Sequence, residues 1–256
     1  MLMKLTGIIP DFVLTKLIII FIKKQLTPKA NMLKISSQIL LTLLFLTSCS
    51  AIPVDEISIE EDKINYFNEL VFGSEFGNSN HKTKKWTEDI NIFVAGEVTV
   101  DLNSELDLLI VEINSLIENV KLNRVKSPNE SNYIIYFGTG EDYAKLEPNA
   151  ASYVKDNWGL FWVYWNSKNE IYKGSMYVDT IRVKSKAARK HLLREELTQS
   201  LGIMNDSYKY PNSIFYQKWS KTTDYSDLDE FIISTLYSKK ISAGMTKEKV
   251  INILIP

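Results

Sequence analysis

The chain has 256 residues, 45% of them hydrophobic and 24% charged, enough for one well-buried domain of ordinary globular composition plus an appendage. Thirty basic residues against thirty-one acidic ones leave a net charge of −1, so no broad positive field draws in phosphate backbones, and nucleic acid is not an expected partner. A single cysteine, Cys49, excludes an internal disulfide framework and a thiolate zinc cluster; with only His81 and His191, no three-histidine zinc site forms within one chain.

At the amino-terminal end, "GIIPDFVLTKLIIIFIKK" is apolar but interrupted by Pro10, Asp11 and Lys16, and shorter than the ~20 residues a membrane span needs. Residues 1–31 therefore read either as a start-site artefact upstream of Met32 or as an extra hydrophobic segment. From Met32, "MLKISSQILLTLLFLTSCS" has a lysine, a short apolar run and small residues before Cys49, the layout of a bacterial lipoprotein signal over residues 32–48. Cys49 would then be the lipidated first residue, each buried methylene adding about 0.8 kcal/mol of membrane affinity. The other reading of Cys49 is a free thiol at the end of a membrane helix. The signal places the mature protein in the cell envelope, lipid-anchored at the outer membrane of a diderm bacterium.

Residues 49–85 read as a tether, acidic at first, with a short helix from Ile57 to Val71 and a Gly/Asn/Ser loop after it. The folded domain is expected over 86–256, opening at Trp86. "INIFVAGEVTV" alternates as a strand does, "SELDLLIVEINSLIENV" repeats apolar residues at three and four as a helix does, and "NYIIYFG" is a second buried strand. "GLFWVYWN" and "IYKGSMYVDTIRV" flank the turn "NSKNE" as a hairpin. Helices follow over Ser185–Leu201, Asp227–Tyr237 and Thr246–Leu254. This order predicts a single α+β domain, a mixed twisted sheet packed on helices.

The helix in "HLLREELTQSLGIMNDS" holds the candidate site. At 100° per residue, Ala188, Leu192, Leu193, Leu197 and Leu201 form an apolar arc that takes in Glu195, Glu196 and Gln199, with Lys190, Arg194 and Thr198 opposite. Polar heads facing a core need partners, because an unpaired buried carboxylate costs several kcal/mol. These three residues therefore belong to an internal hydrogen-bond network, to a binding or catalytic cleft, or to a face that is simply exposed. Gly202 is a usual cap, and Asn205 and Asp206 lie at the turn beyond it. His191, one turn earlier, is expected to be solvated. An ion held by Glu195, Gln199 and Asp206 would be a hard cation such as calcium, magnesium or manganese; zinc, which prefers nitrogen and sulfur, is not expected.

"EELTQSLGIMNDS", "PNSIFYQ" and "LDEFIISTLYSKKISAGMT", in that order, resemble the bacterial family known as domain of unknown function 2927, and the resemblance reaches back to "KKWTEDINIFVAG". That family brings no activity with it. More distantly, the same stretch is similar to the catalytic half of metzincin peptidases, with their His-Glu-x-x-His-x-x-Gly helix. The comparison implies a zincin-like fold. It places Glu195 and Gln199 at two zinc histidines, Glu196 at the general base, Gly202 at the turn glycine, Asn205 or Asp206 at the third ligand, and Phe215 at the methionine of the Met-turn. Both histidines are replaced, so the resemblance implies the scaffold and not the zinc chemistry.

Between Tyr153 and Trp165, Trp158, Phe161, Trp162 and Tyr164 give either sheet-face packing or a platform on which sugars and peptides stack. Two functions follow. One is a noncatalytic, lipid-anchored envelope protein that uses the domain for structure or for binding an envelope protein, peptide or glycan, with no cofactor. The other is a peptidase-like hydrolase with Glu196 as general base, with an oxygen-bound metal or none.

Overall fold

The computed structural model describes residues 54–73 and 81–255, with side chains from residue 61 onward. Cys49, the signal 32–48 and residues 1–31 lie outside the described residues. Among the described residues no helix is long and apolar enough to cross a membrane.

The chain order is α1 (Val54–Phe72), β1 (Lys85–Trp86), β2 (Ile90–Gly96), α2 (Val100–Leu116), β3 (Leu122–Arg124), β4 (Tyr133–Gly138), α3 (Gly140–Leu146), β5 (Gly159–Trp165), β6 (Glu170–Asp179), α4 (Lys186–Gln199), α5 (Asp227–Leu236) and α6 (Lys247–Leu254). The strands form one sheet. β3, β2, β4 and β6 lie side by side and parallel, β1 pairs parallel with the start of β6, and β5 runs antiparallel to β6. The expected mixed sheet in an α+β domain is thus present, hairpin included.

The alternation read from the sequence sets the sheet faces. Ile90 and Ile92 on β2, and Tyr133, Ile135 and Phe137 on β4, are buried in one large core together with Leu102, Leu106, Leu109 and Ile113 of α2. Strand β2 stops at Gly96, four residues short of its expected end, because Val100 begins α2 behind the cap residue Thr99. A smaller cluster on the other sheet face gathers Tyr143, Ala150, Val154, Leu160 and Tyr177, with Trp162 and Tyr153 packed against it. Much of the aromatic run is therefore sheet-face packing, with Trp162 and Tyr153 rings 5.9 Å apart.

The first helix corrects the tether. Tyr66, Phe67 and Leu70 of α1 are fully buried in the main core, and α1 packs against α5 and α6. The domain thus includes this helix and does not open at Trp86. Its acidic start hid the apolar face that begins at Ile64.

Helix α4 lies at the centre of the domain, against α2, β5 and β6. Ser185 caps its start by accepting from the Ala188 amide. Its end is held by outside donors: Trp86 Nε1 donates to the Ser200 carbonyl at 3.0 Å, and the Tyr237 hydroxyl to the Leu201 carbonyl at 2.8 Å. Gly202 follows at φ +118, where a Cβ would stand 1.9 Å from the Lys84 carbonyl oxygen. Only glycine fits both that conformation and that approach.

Candidate functional site

The face of α4 opposite the apolar arc is covered by α2 and Tyr225, with only Lys190 half-buried. Arg194 is 4% exposed, with its guanidinium bonded to Glu112 (2.6 Å) and Glu105 (3.4 Å) of α2 and set over the Tyr225 ring at 4.5 Å. Lys190 reaches Glu105 at 2.7 Å, and Thr198 bonds the Tyr225 hydroxyl. Polar residues fill this interface because they neutralise one another across it, which an apolarity count on one helix does not register.

His191 is also a correction. It is 2% exposed, covered by the chain around Thr222. Its Nδ1 lies 2.8 Å from the Thr222 carbonyl oxygen, which only accepts, so Nδ1 carries a hydrogen; Nε2 lies 3.2 Å from Glu195 Oε2, one helical turn away. Burial opposes a charge on the imidazole. The hydrogen bond and negative charge of Glu195, the Thr222 carbonyl and the charge of Asp206 outweigh it and hold the His191 pKa above its ordinary value.

The helix and the chain after it bring most of the sequence candidates together. Gln199 Nε2 donates to Asp206 Oδ1 at 2.5 Å, and both line an open cleft of about 430 Å³ with His191, Glu195 and Glu196. Asn205 is not among its lining residues: its side chain donates to the Glu69 carbonyl of α1 at 3.2 Å and to the Asp206 carbonyl at 2.9 Å. Of the two residues at the turn, Asp206 belongs to the cleft and Asn205 holds the turn in place.

Glu196 lines the cleft with Leu160 and Leu192 and lies against Gly159. A Cβ on Gly159 would lie 2.7 Å from Glu196 Oε1, so the glycine at the start of β5 makes room for the carboxylate. The opposite rim carries Trp158, 42% exposed, and Trp219, 53% exposed, with ring centroids 5.3 Å apart and planes at 81°. Trp219 comes from the loop after Phe215, where no pattern in the sequence marks it as part of a site. Arg182 likewise belongs to no sequence motif. It pairs with Asp179 at 2.6 Å and donates to the carbonyls of Val154, Lys155 and Asn157, fixing the loop that supplies Asp156 and Asn157 to the rim.

Phe215, at the Met-turn position, is fully buried. Its turn is held by Asp229 of α5, whose carboxylate accepts from the Ser213 hydroxyl, the Ile214 amide, and the Ser226 amide and hydroxyl.

Zinc, the ion implied by the metzincin resemblance, does not fit these side chains. Gln199 turns its amide nitrogen onto Asp206, and Glu195 faces the imidazole of His191, so all three positions are committed to neighbours and none offers an imidazole nitrogen or a sulfur to an ion. Among the described residues no group of three or more His, Cys, Asp and Glu is arranged to hold a metal.

The elements and the cleft define an α+β domain with a mixed sheet, whose acidic site is built on one central helix and the turn beyond it. The chain belongs to the family described as "Protein of unknown function (DUF2927)", which matches it over residues 60–255. No match was found among curated proteins. Two solved structures of myroilysin are similar. One shares 13% identity over 61% of this chain and 96% of its own, with a TM-score of 0.38. The other shares 12% over 68% and 93%, with a TM-score of 0.41.

Proposed function

We propose that this is a noncatalytic, lipid-anchored envelope protein, tethered through Cys49 at the outer membrane of a diderm bacterium, whose domain binds a ligand in the cleft on α4. One observation carries the reading. The side chains on the cleft face of the helix clasp one another, Glu195 with His191 and Gln199 with Asp206, while the cavity beside them stays open to solvent under a tryptophan rim. Clasped polar groups shape and charge a binding surface, but they are poorly placed to take up an ion that activates water. No cofactor forms part of this reading. A hard cation on the oxygens of Glu195, Gln199 and Asp206 would first have to break both clasps.

The second reading, a hydrolase with Glu196 as general base, draws support from Glu196, which lines the cleft with its carboxyl against Gly159. A broad peptidase and glycosidase screen of the full-length chain separates the two. No turnover is expected; turnover that disappears in Glu196→Gln would replace the binding reading with the enzyme. The anchor has its own test. The membrane-extracted protein should have the intact mass of a chain acylated at Cys49 and cleaved after Ser48, and Cys49→Ser should release it. A soluble wild-type protein retaining residues 32–48 would refute lipidation.

A further inference from the structure

We propose that the cleft receives a cationic side chain, a lysine or arginine of a peptide, seated between the indoles of Trp158 and Trp219 and the carboxylates of the floor. The proposal rests on the reading of the cleft as a binding site and adds the chemistry of its ligand.

The rim comes first. Trp158 ends the loop pinned by Arg182, and Trp219 comes from the separate chain segment after Tyr216, yet the two rings meet edge to face at 5.3 Å with about half of each exposed. An indole sheds water readily onto a core, and α4, β5 and β6 lie close by. Two of them held together at a cavity mouth, outside both hydrophobic clusters, form an incomplete aromatic enclosure. Aromatic faces attract ammonium and guanidinium groups through the ring quadrupole, most strongly where the cation is withdrawn from water.

The charge of the cavity then selects among the groups that stack on indoles. Asp156, Glu195, Glu196 and Asp206 line it, against Lys218 and His191. The balance stays negative even when His191 is protonated, while the chain as a whole is nearly neutral. Lys218 is drawn to the Tyr208 ring, 6.0 Å from its centroid. An anion would be repelled, and a neutral sugar would gain stacking but nothing from the net negative charge of the cavity. A lysine or arginine side chain satisfies both parts, with its alkyl stem against the indoles and its head toward the carboxylates. A cavity of about 430 Å³ holds such a side chain with the backbone on either side of it.

The test is a titration of the full-length chain in detergent, followed by tryptophan fluorescence and calorimetry. The probes are three blocked glycine pentapeptides that carry arginine, lysine or norleucine at the centre, and a neutral N-acetylglucosamine oligomer. The arginine and lysine peptides are expected to bind, to weaken as salt is raised, and to lose at least about tenfold in affinity in Trp219→Ala, a change at an exposed position. Norleucine binding as tightly as lysine, or the sugar binding more tightly than either basic peptide in a Trp219-dependent way, would overturn the cationic ligand and leave the cleft as a binding site. Failure of every probe to bind the wild type would overturn both.

Discussion

Replacing His191 by leucine tests the clasp on which the cleft is built. The imidazole is 2% exposed and held at both nitrogens, by the Thr222 carbonyl at 2.8 Å and Glu195 at 3.2 Å. Leucine keeps much of the volume but leaves the carbonyl without its donor and the carboxylate without its cation. With about 1.5–3 kcal/mol for a hydrogen bond to a charged group and about 1–3 kcal/mol for a stranded buried acceptor, partly relieved by water entering the cleft, the variant should lose about 2–4 kcal/mol near about pH 6. For a domain of this size that is a fall of roughly 4–16 °C in Tm. The pH dependence distinguishes the clasp from simple packing. The folded pKa of His191 lies above its unfolded value of 6.5, so the protonated imidazole favours the folded state. That stabilisation is complete below about pH 6.5 and fades as pH rises through the folded pKa. Wild type and variant should therefore converge toward about pH 9, where the penalty is expected to fall to about half or less. Melts of both proteins by circular dichroism across that range would measure it. A penalty that is constant, or larger at alkaline pH, would mean that Glu195 does not hold a charged imidazole.

At the foot of α5, Asp229→Ala strands the four donors of a fully buried carboxylate and should cost about 3–5 kcal/mol in denaturant unfolding, with Asp229→Asn recovering part of the loss. Gly202→Ala combines a forbidden φ with a Cβ 1.9 Å from the Lys84 carbonyl, and should lose more than about 3 kcal/mol or fail to accumulate folded protein. Glu196→Gln should melt within about 1 kcal/mol of wild type and Glu196→Ala about 1–3 kcal/mol below it, since the amide keeps the size and most of the hydrogen bonding of the buried head; equal losses would show that the charge itself holds the wall. Protein purified from zinc-containing buffer should carry no stoichiometric zinc by elemental analysis, a result that zinc bound by single chains would reverse.

Periodicity carried the sheet and the main helices, because their burial repeats along one element: every second residue in β4, and every third or fourth in α2. It failed wherever burial depends on a partner elsewhere in the chain. Helix α1 reads as tether because acidic residues crowd its first half, yet the apolar residues from Ile64 onward are buried and the helix packs on α5 and α6. Strands β1 and β3 have two and three residues, too short for an alternating pattern. His191 reads as solvated, and Arg194 lies off the apolar arc, because neither Thr222 nor the acids of α2 stand near them in sequence. Of the cleft, Glu195, Glu196, Gln199 and Asp206 were legible from one helix and its turn. The tryptophan rim was not, since Trp158 and Trp219 meet only in the folded chain.

Helix α4 is polar and almost wholly buried, and its two sides resolve that conflict differently. Toward α2, Lys190 and Arg194 meet Glu105 and Glu112, so the polar groups there are satisfied within an interface that no ligand enters. Toward β5 the partners are too few to close the surface: Gly159 supplies no side chain, and the segment carrying Trp219 stands off across the cavity. The same helix thus needs charge on one side to pack and keeps it on the other beside solvent. Glu195 and Asp206, partly exposed at the cavity, keep more of their hydration and so cost less to maintain than a sealed ion pair. They also retain their field, which a sealed pair largely cancels. The side of α4 toward β5, held by the pairs His191–Glu195 and Gln199–Asp206 and open to the cavity, is the side able to meet a ligand.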